Sequence, residues 1–256
     1  MIKKISIFIL SLFFAFNAQA ETKTAHIIVA LCDNLHQGIH PVPYKLGKGN
    51  DPENNLYWGA MYGVKTYFKN SKDWILIKEI KDIDTKILRR VIFKHKNSDT
   101  WMVADAYLGK KIRTATKDFL NYSAGDKPQT IDVEYNNKKT SLNIGGSANL
   151  ISYIGHNGLM DFSISQEYKS QNKNKRDVII LACYSKKYFT DFIRQTGANP
   201  ILWTNGKLAP EAYILKAALN SWAGEESSAK VKENAAAAYA KYQKISNKAA
   251  SNLFSN

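Results

Sequence analysis

The chain is poor in cysteine, short of acid, and without a long apolar run once its first twenty residues are set aside. Two cysteines, Cys32 and Cys183, can build neither a disulfide framework nor a four-cysteine zinc site. No later stretch approaches the roughly 18 uninterrupted apolar residues that a membrane span needs, so no transmembrane segment is expected. Acidic residues number 22 against 36 lysines and arginines, a net charge of +14 in 256 residues. The basic excess is not that of a disordered tail, because 45% hydrophobic and 12% aromatic residues suffice for a core. The lysines are spread along the whole chain, with no RNP motif, zinc-finger spacing or arginine cluster, so no specific nucleic-acid binding is expected.

What is present begins with a leader. Lys3-Lys4, the apolar run Ile5 to Phe16 and the small-residue end Ala18-Gln19-Ala20 read in order as a secretory signal peptide, residues 1–20. The apolar run is too short to span a bilayer, and no cysteine directly follows the expected cleavage point, so a lipid anchor is not expected. The mature chain expected from it, Glu21 to Asn256, has 236 residues, and its 34 basic against 22 acidic residues leave +12. It is expected to be periplasmic or secreted. There an exported basic protein would meet anionic envelope components: polymers, lipid headgroups or acidic proteins.

The mature sequence alternates buried strands with helices. His26 to Leu31 is a short β-branched run of the kind covered on both faces of a sheet, and it opens into a long loop, Cys32 to Asn55, holding three prolines and three glycines. Leu56 to Phe68 has helical spacing. Trp74 to Ile80 reads as a strand, and Arg90 to His95 with Trp101 to Tyr107 as a hairpin or two further strands. Lys111 to Tyr122 reads as a helix and Thr130 to Ile144 as a hairpin around Asn136-Asn137. Further strands, Leu150 to Ile154, Val178 to Leu181 and Pro200 to Trp203, alternate with helices over Lys186 to Arg194 and Leu208 to Trp222. Ser227 to Ala250 reads as one long helix with a narrow apolar stripe, laid against the domain. The pattern predicts an α/β fold: a mainly parallel sheet flanked by helices with β-hairpins (residues 21–226), followed by a C-terminal helix (227–256).

Parallel sheets place working residues at the carboxyl ends of their strands. Two apolar runs end in chemistry: Leu150 to Ile154 runs into Gly155-His156-Asn157-Gly158, and Val178 to Leu181 into Ala182-Cys183-Tyr184. A thiol attacks carbonyl carbon as a thiolate and needs a base, for which imidazole is suited. On neighbouring strands the ends would lie about 5 Å apart. His156 is therefore the candidate base and Cys183 the candidate nucleophile. The backbone N–H groups of Gly158 and Cys183 are candidate oxyanion donors, and Asn157, Tyr184 and Asp33 are candidate substrate contacts, with Asp33 suited to a basic side chain. The loop of Cys32, Asp33, His36 and His40 carries zinc-type donors, but Gly38 and Pro41 argue against a helix that would align them, and a solvated loop walling the same cleft is the preferred reading. No metal or cofactor is called for.

These motifs resemble the caspase, legumain, gingipain and CHAT group of cysteine peptidases, over roughly Leu150 to Trp203. In that group a His ends one parallel strand and the nucleophilic Cys ends the next; it usually has Gly directly after the His, where this chain has Asn157. The resemblance implies a caspase-like fold, a polypeptide substrate, a His156/Cys183 dyad, and a loop between the two strands, here Lys169 to Arg176, open to processing.

Two alternatives stay open. A disulfide between Cys32 and Cys183 would abolish the nucleophile; in a flavodoxin-like order 2-1-3-4-5 the His156 strand would separate them by about 10 Å, beyond the roughly 7 Å of an unstrained bridge, unless loops shift. The other is a non-catalytic periplasmic binding or scaffold protein of the same fold.

Overall fold

Short, largely apolar runs can be buried on both faces, and five such parallel strands build the centre of the sheet. In the computed structural model residues 22–171 and 175–256 are described; the expected signal peptide, residues 1–20, and positions 172–174 of the Lys169 to Arg176 loop lie outside them. The elements are β1 (Lys23–Ala30), α1 (Val64–Lys69), β2 (Trp74–Lys81), β3 (Ile87–His95), β4 (Thr100–Tyr107), α2 (Ile112–Ser123), β5 (Pro128–Tyr135), β6 (Lys138–Gly145), β7 (Leu150–Ile154), β8 (Asp177–Leu181), α3 (Ser185–Thr196), β9 (Asn199–Thr204), α4 (Ala212–Ala223), α5 (Ser228–Gln243), α6 (Asn247–Asn252) and β10 (Phe254–Ser255). Among the described residues no helix is long and apolar enough to cross a membrane.

Eight strands form one sheet in the order β10-β9-β8-β7-β1-β4-β3-β2. From β9 to β4 neighbours are parallel; β3 and β2 continue antiparallel, and β10 pairs antiparallel with β9. Counted in chain order the five parallel strands run 2-1-3-4-5, so β7 lies between β1 and β8, and the order reverses between β1 and β7.

Side chains of β1 alternate with the period of two that a strand imposes. Ile27, Val29 and Leu31 join α4 and α5 residues in one core layer, and Ile28 and Ala30 join α2 and α3 residues in the other. The β5–β6 hairpin packs Val133, Leu142 and Ile144 on Ile92, Trp101 and Val103. Its turn residues Asn136 and Asn137 have φ of 51° and 59°, as a tight two-residue hairpin turn requires. Beneath the hairpin Arg90 donates two hydrogen bonds to Asp105 (2.6 and 2.7 Å). His26 Nε2 lies 3.0 Å from the same carboxylate, and His26 Nδ1 accepts from the Gly145 N–H at 3.0 Å. Burial pushes the Asp105 carboxyl up, but the bonds from Arg90 and His26 outweigh it and hold it at about 2.

Three elements differ from their sequence expectation. The helix expected over Leu56 to Phe68 starts only at Val64, and residues 56–63 are turns. Gly59 packs so tightly on the preceding loop that a Cβ would stand 2.0 Å from the Glu53 carbonyl oxygen, which fixes a turn where spacing suggested a helix. Helix α4 begins at Ala212 rather than Leu208, since Glu211 is extended (φ −102°, ψ 151°) and Pro210 before it offers no N–H. The C-terminal segment is two helices: Lys244 (φ 55°) ends α5, and the Ser246 side chain accepts from the Ala249 N–H to start α6. The stripe of Val231, Ala235, Ala236, Tyr239 and Ala240 on α5 is buried in the core layer shared with α4.

Candidate active site

Strand β7 delivers His156 through a glycine that the geometry demands. Gly155 has φ of +146°, and a Cβ there would stand 2.8 Å from the Ala30 carbonyl oxygen of β1. The chain then turns through a short 3-10 segment, Gly158–Met160, started by the Asn157 side chain, which accepts from the Leu159 N–H. This turn brings Asp161 back onto the histidine: His156 Nε2 and Asp161 Oδ2 are 2.8 Å apart. The same carboxylate oxygen accepts the Gly38 N–H at 2.9 Å, so the loop after β1 is tied to the histidine through it. A carboxylate can only accept, so Nε2 carries the proton in the neutral ring and Nδ1 is the basic nitrogen. The buried Tyr153 hydroxyl donates to the His156 carbonyl at 2.7 Å and fixes the backbone behind the ring.

Strand β8 delivers Cys183 through the buried Ala182. Tyr184 follows in the left-handed region (φ 51°, ψ 34°), a conformation that costs a non-glycine residue about 1 kcal/mol. Its N–H donates to the Gly206 carbonyl at 2.8 Å, which holds the sharp turn into α3. The positive N-terminal end of α3 thus lies directly behind the cysteine, where it favours negative charge. The Asn157 Nδ2 donates to the Cys183 carbonyl at 2.7 Å, fastening the end of β7 to the end of β8. The Cys183 thiol meets the Leu208 backbone, 3.5 Å from its nitrogen and 3.6 Å from its oxygen.

His156 and Cys183 line one cavity of about 490 Å³ at the carboxyl ends of β7 and β8, beside the reversal between β1 and β7. Tyr57, Leu208 and Tyr239 give it apolar walls, Gly38 to His40 supply a rim from the loop after β1, and Lys207 adds a cation. Open α/β sheets bind ligands at such a reversal.

The two cysteines are in different states. Both are free, so the bridge left open by the sequence is not formed. Cys32 is fully buried, and its thiol is pushed up to about 12 by burial and then by the adjacent Asp33. Asn55 clamps it, accepting from the Cys32 N–H at 3.0 Å and donating to its carbonyl at 2.8 Å. Tyr57 stands near both thiols, and burial, followed by Cys32 and Cys183, pushes its hydroxyl well above the usual phenol range.

The other sequence candidates are placed apart from the cavity. Asn157 is fully buried, and both ends of its amide are engaged internally. Gly158 faces α2, where a Cβ would meet the Phe162 ring at 2.6 Å and Ile112 at 3.2 Å; the cavity is lined by Gly155 and Gly38 instead. Tyr184 is half-buried and does not line it. Asp33 lines a neighbouring cavity instead, and its carboxylate is taken by His36 Nδ1 and the Leu35 N–H, both at 2.9 Å. Among the described residues no group of three or more His, Cys, Asp or Glu is arranged to hold a metal ion. The residue missed from sequence is Asp161, whose only signal was to be the first acid after the His156 turn.

No protein-family model, curated protein or solved structure matches this chain.

Proposed function

We propose that the chain is an exported cysteine hydrolase, an endopeptidase in which Cys183 is the nucleophile, His156 the general base and Asp161 the residue that positions the imidazole. One observation carries the reading: a cysteine and a histidine whose tautomer is set by a carboxylate end adjacent parallel strands and open into the same cavity. The strand order 2-1-3-4-5 and the strand-end placement of both residues also suit a caspase-like fold, and residues 1–20 support export.

In the proposed reaction the Cys183 thiol gives its proton to His156 Nδ1, and the sulfur attacks the scissile carbonyl carbon. The resulting oxyanion accepts from the Cys183 N–H, just ahead of α3. Collapse of the tetrahedral intermediate breaks the C–N bond, and the amine leaves with the proton held by the imidazolium. Water, deprotonated by the freed imidazole, then hydrolyses the thioester and restores the thiol.

A second reading, a binding or scaffold protein without catalysis, is favoured by the contacts of the Cys183 thiol with the Leu208 backbone. Alkylation of the native protein with iodoacetamide at neutral pH separates the two. A hydrolase alkylates at Cys183 much faster than free cysteine and slows on His156→Ala, whereas equal slow rates in both proteins support the scaffold. A proteome-scale cleavage profile that does not differ between wild type and Cys183→Ala would overturn the peptidase assignment.

A further inference from the structure

We infer that the cavity on the far side of the loop after β1 is a second recognition subsite for the same polypeptide substrate, taking a bulky apolar side chain flanked by acidic residues. The inference rests on the peptidase reading for its substrate, and on the following features for its location and chemistry.

The cavity, of about 550 Å³, lies beside the ends of β1 and β4, on the same carboxyl edge of the sheet as Cys183. His36 lines this cavity and Gly38 lines the His156–Cys183 cavity. A single residue, Gln37, lies between them, so their Cα atoms lie within about 7 Å, a span that two or three residues of an extended peptide cover. Gln37 is the partition, and it is rigid. Its Nε2 donates to the Leu31 carbonyl at 2.8 Å and to the Gly109 carbonyl at 3.1 Å, while its Oε1 accepts the Asp33 N–H at 3.2 Å.

The interior is apolar, walled by Leu88 and Leu108, and large enough for an aromatic ring. Leu35 and Tyr44, also in its lining, are 86% and 75% exposed, so two large apolar side chains stand in water where a ligand would cover them. The charge is one-sided. Lys48 and Lys110 line the cavity and are exposed, and neither makes an ion pair among the described residues. Asp33, the acid in the lining, is buried and already accepts from His36 and Leu35. The cavity therefore offers apolar contact and exposed positive charge in excess of its one buried acid, the complement of an apolar side chain with carboxylates beside it. On this inference the loop favours acidic neighbours, where the sequence alone suggested a basic side chain at Asp33.

The test uses the full chain carrying Cys183→Ala, titrated calorimetrically with acetyl-Glu-Phe-Glu-amide, acetyl-Gln-Phe-Gln-amide and acetyl-Glu-Gly-Glu-amide. The first peptide is expected to bind at least about fivefold more tightly than either of the others, and Lys48→Glu/Lys110→Glu is expected to abolish that preference. Equal binding of the three peptides, or a preference that survives the double substitution, would overturn the subsite. A second arm digests a proteome-derived peptide library with chains that retain Cys183. With wild-type lysines, cleaved peptides should be enriched in an apolar residue with acidic neighbours a few positions from the scissile bond, and the double substitution should remove this enrichment while preserving preferences at the bond itself. Identical profiles would refute the link to substrate. Library cleavage no greater than that of Cys183→Ala would instead sink the peptidase reading, and the titration would still decide the subsite.

Discussion

Asp161 is the sharpest point at which to break the proposed chemistry, because its carboxylate acts on His156 without lining the cavity. Its Oδ2 accepts from His156 Nε2 at 2.8 Å and from the Gly38 N–H at 2.9 Å. In Asp161→Asn the amide oxygen can take the same position and accept both bonds, so geometry is kept and only the charge is lost. A hydrogen bond to a charged partner contributes about 1.5–3 kcal/mol net and a neutral one about 0.5–1.5. The imidazolium formed during acylation should therefore lose about 1–2 kcal/mol of stabilisation, a slowing of about 5–30-fold. Asp161→Ala goes further: it releases the Gly38 N–H and the loop as well as the ring, and a misplaced ring costs the proton transfer itself, about 10²–10⁴-fold. The assay is the second-order rate of Cys183 alkylation, followed by kcat and KM on a peptide drawn from the cleavage profile. The loss should fall on kcat with KM within about twofold, since the carboxylate strengthens its hold only as the ring becomes charged. A chain with Asp161→Asn that alkylates and turns over at the wild-type rate, while His156→Ala is slow, would refute the positioning role.

Asn157→Ala removes the buried bond to the Cys183 carbonyl, 2.7 Å long, and the cap on Leu159; it should cost about 1–3 kcal/mol, seen as a melting temperature lower by several degrees together with slower alkylation, and an unchanged value of both would show the tie to be idle. Native iodoacetamide treatment followed by mass spectrometry should place a single adduct on Cys183 and a second on Cys32 only in denaturant, because the Cys32 thiol is buried and held at about 12; equal labelling of the two in the native protein would contradict that burial. Asp105 is held at about 2 in the folded chain against an ordinary 3.8. Its contribution is fully present above the ordinary value and is lost as pH falls through the folded one, a change of about 2 kcal/mol. Asp105→Asn should cost about 3–5 kcal/mol at neutral pH by leaving Arg90 buried without its carboxylate, and urea unfolding should find the gap to wild type narrowing between pH 5 and pH 2; a gap independent of pH would refute the ion-pair account.

Strands and their ends were the legible part, for a physical reason. A strand covered on both faces must be a short apolar run, and Leu150 to Ile154 and Val178 to Leu181 are such runs, each broken at once by residues unsuited to a core. His156 and Cys183 were visible because they stand at those breaks. Asp161 was not, because the turn that returns it to His156 is a single 3-10 segment with no period to read. The placement of Asp33 outside the His156–Cys183 cavity was hidden for a related reason. Its side chain is satisfied inside its own loop, by Leu35 and His36, and that loop is shaped by Gly109 and Asn55, which are remote or unpatterned in sequence. The helix expected from Leu56 failed on steric closeness at Gly59, which spacing cannot express.

Catalytic geometry has to be held within about 0.5 Å, and neither strand end does this alone. The β7 end is a glycine in a conformation other residues avoid, and the β8 end is a tyrosine in the left-handed region. Each would relax if it were free. Asn157 prevents this by bonding the Cys183 carbonyl, and Asp161 prevents it by joining His156 to Gly38, so the two strand ends and the loop after β1 form one hydrogen-bonded unit. Gln37 then fixes that loop against Leu31 and Gly109. The polar side chains that support the pair are therefore not the ones that line the cavity. Substitution at Asn157 should leave the lining of the cavity in place and disturb the relative position of thiol and imidazole, so its effect should appear in the reactivity of Cys183 before it appears in ligand binding, whereas removal of the Asp161 or Gln37 side chain should also loosen the Gly38 to His40 rim.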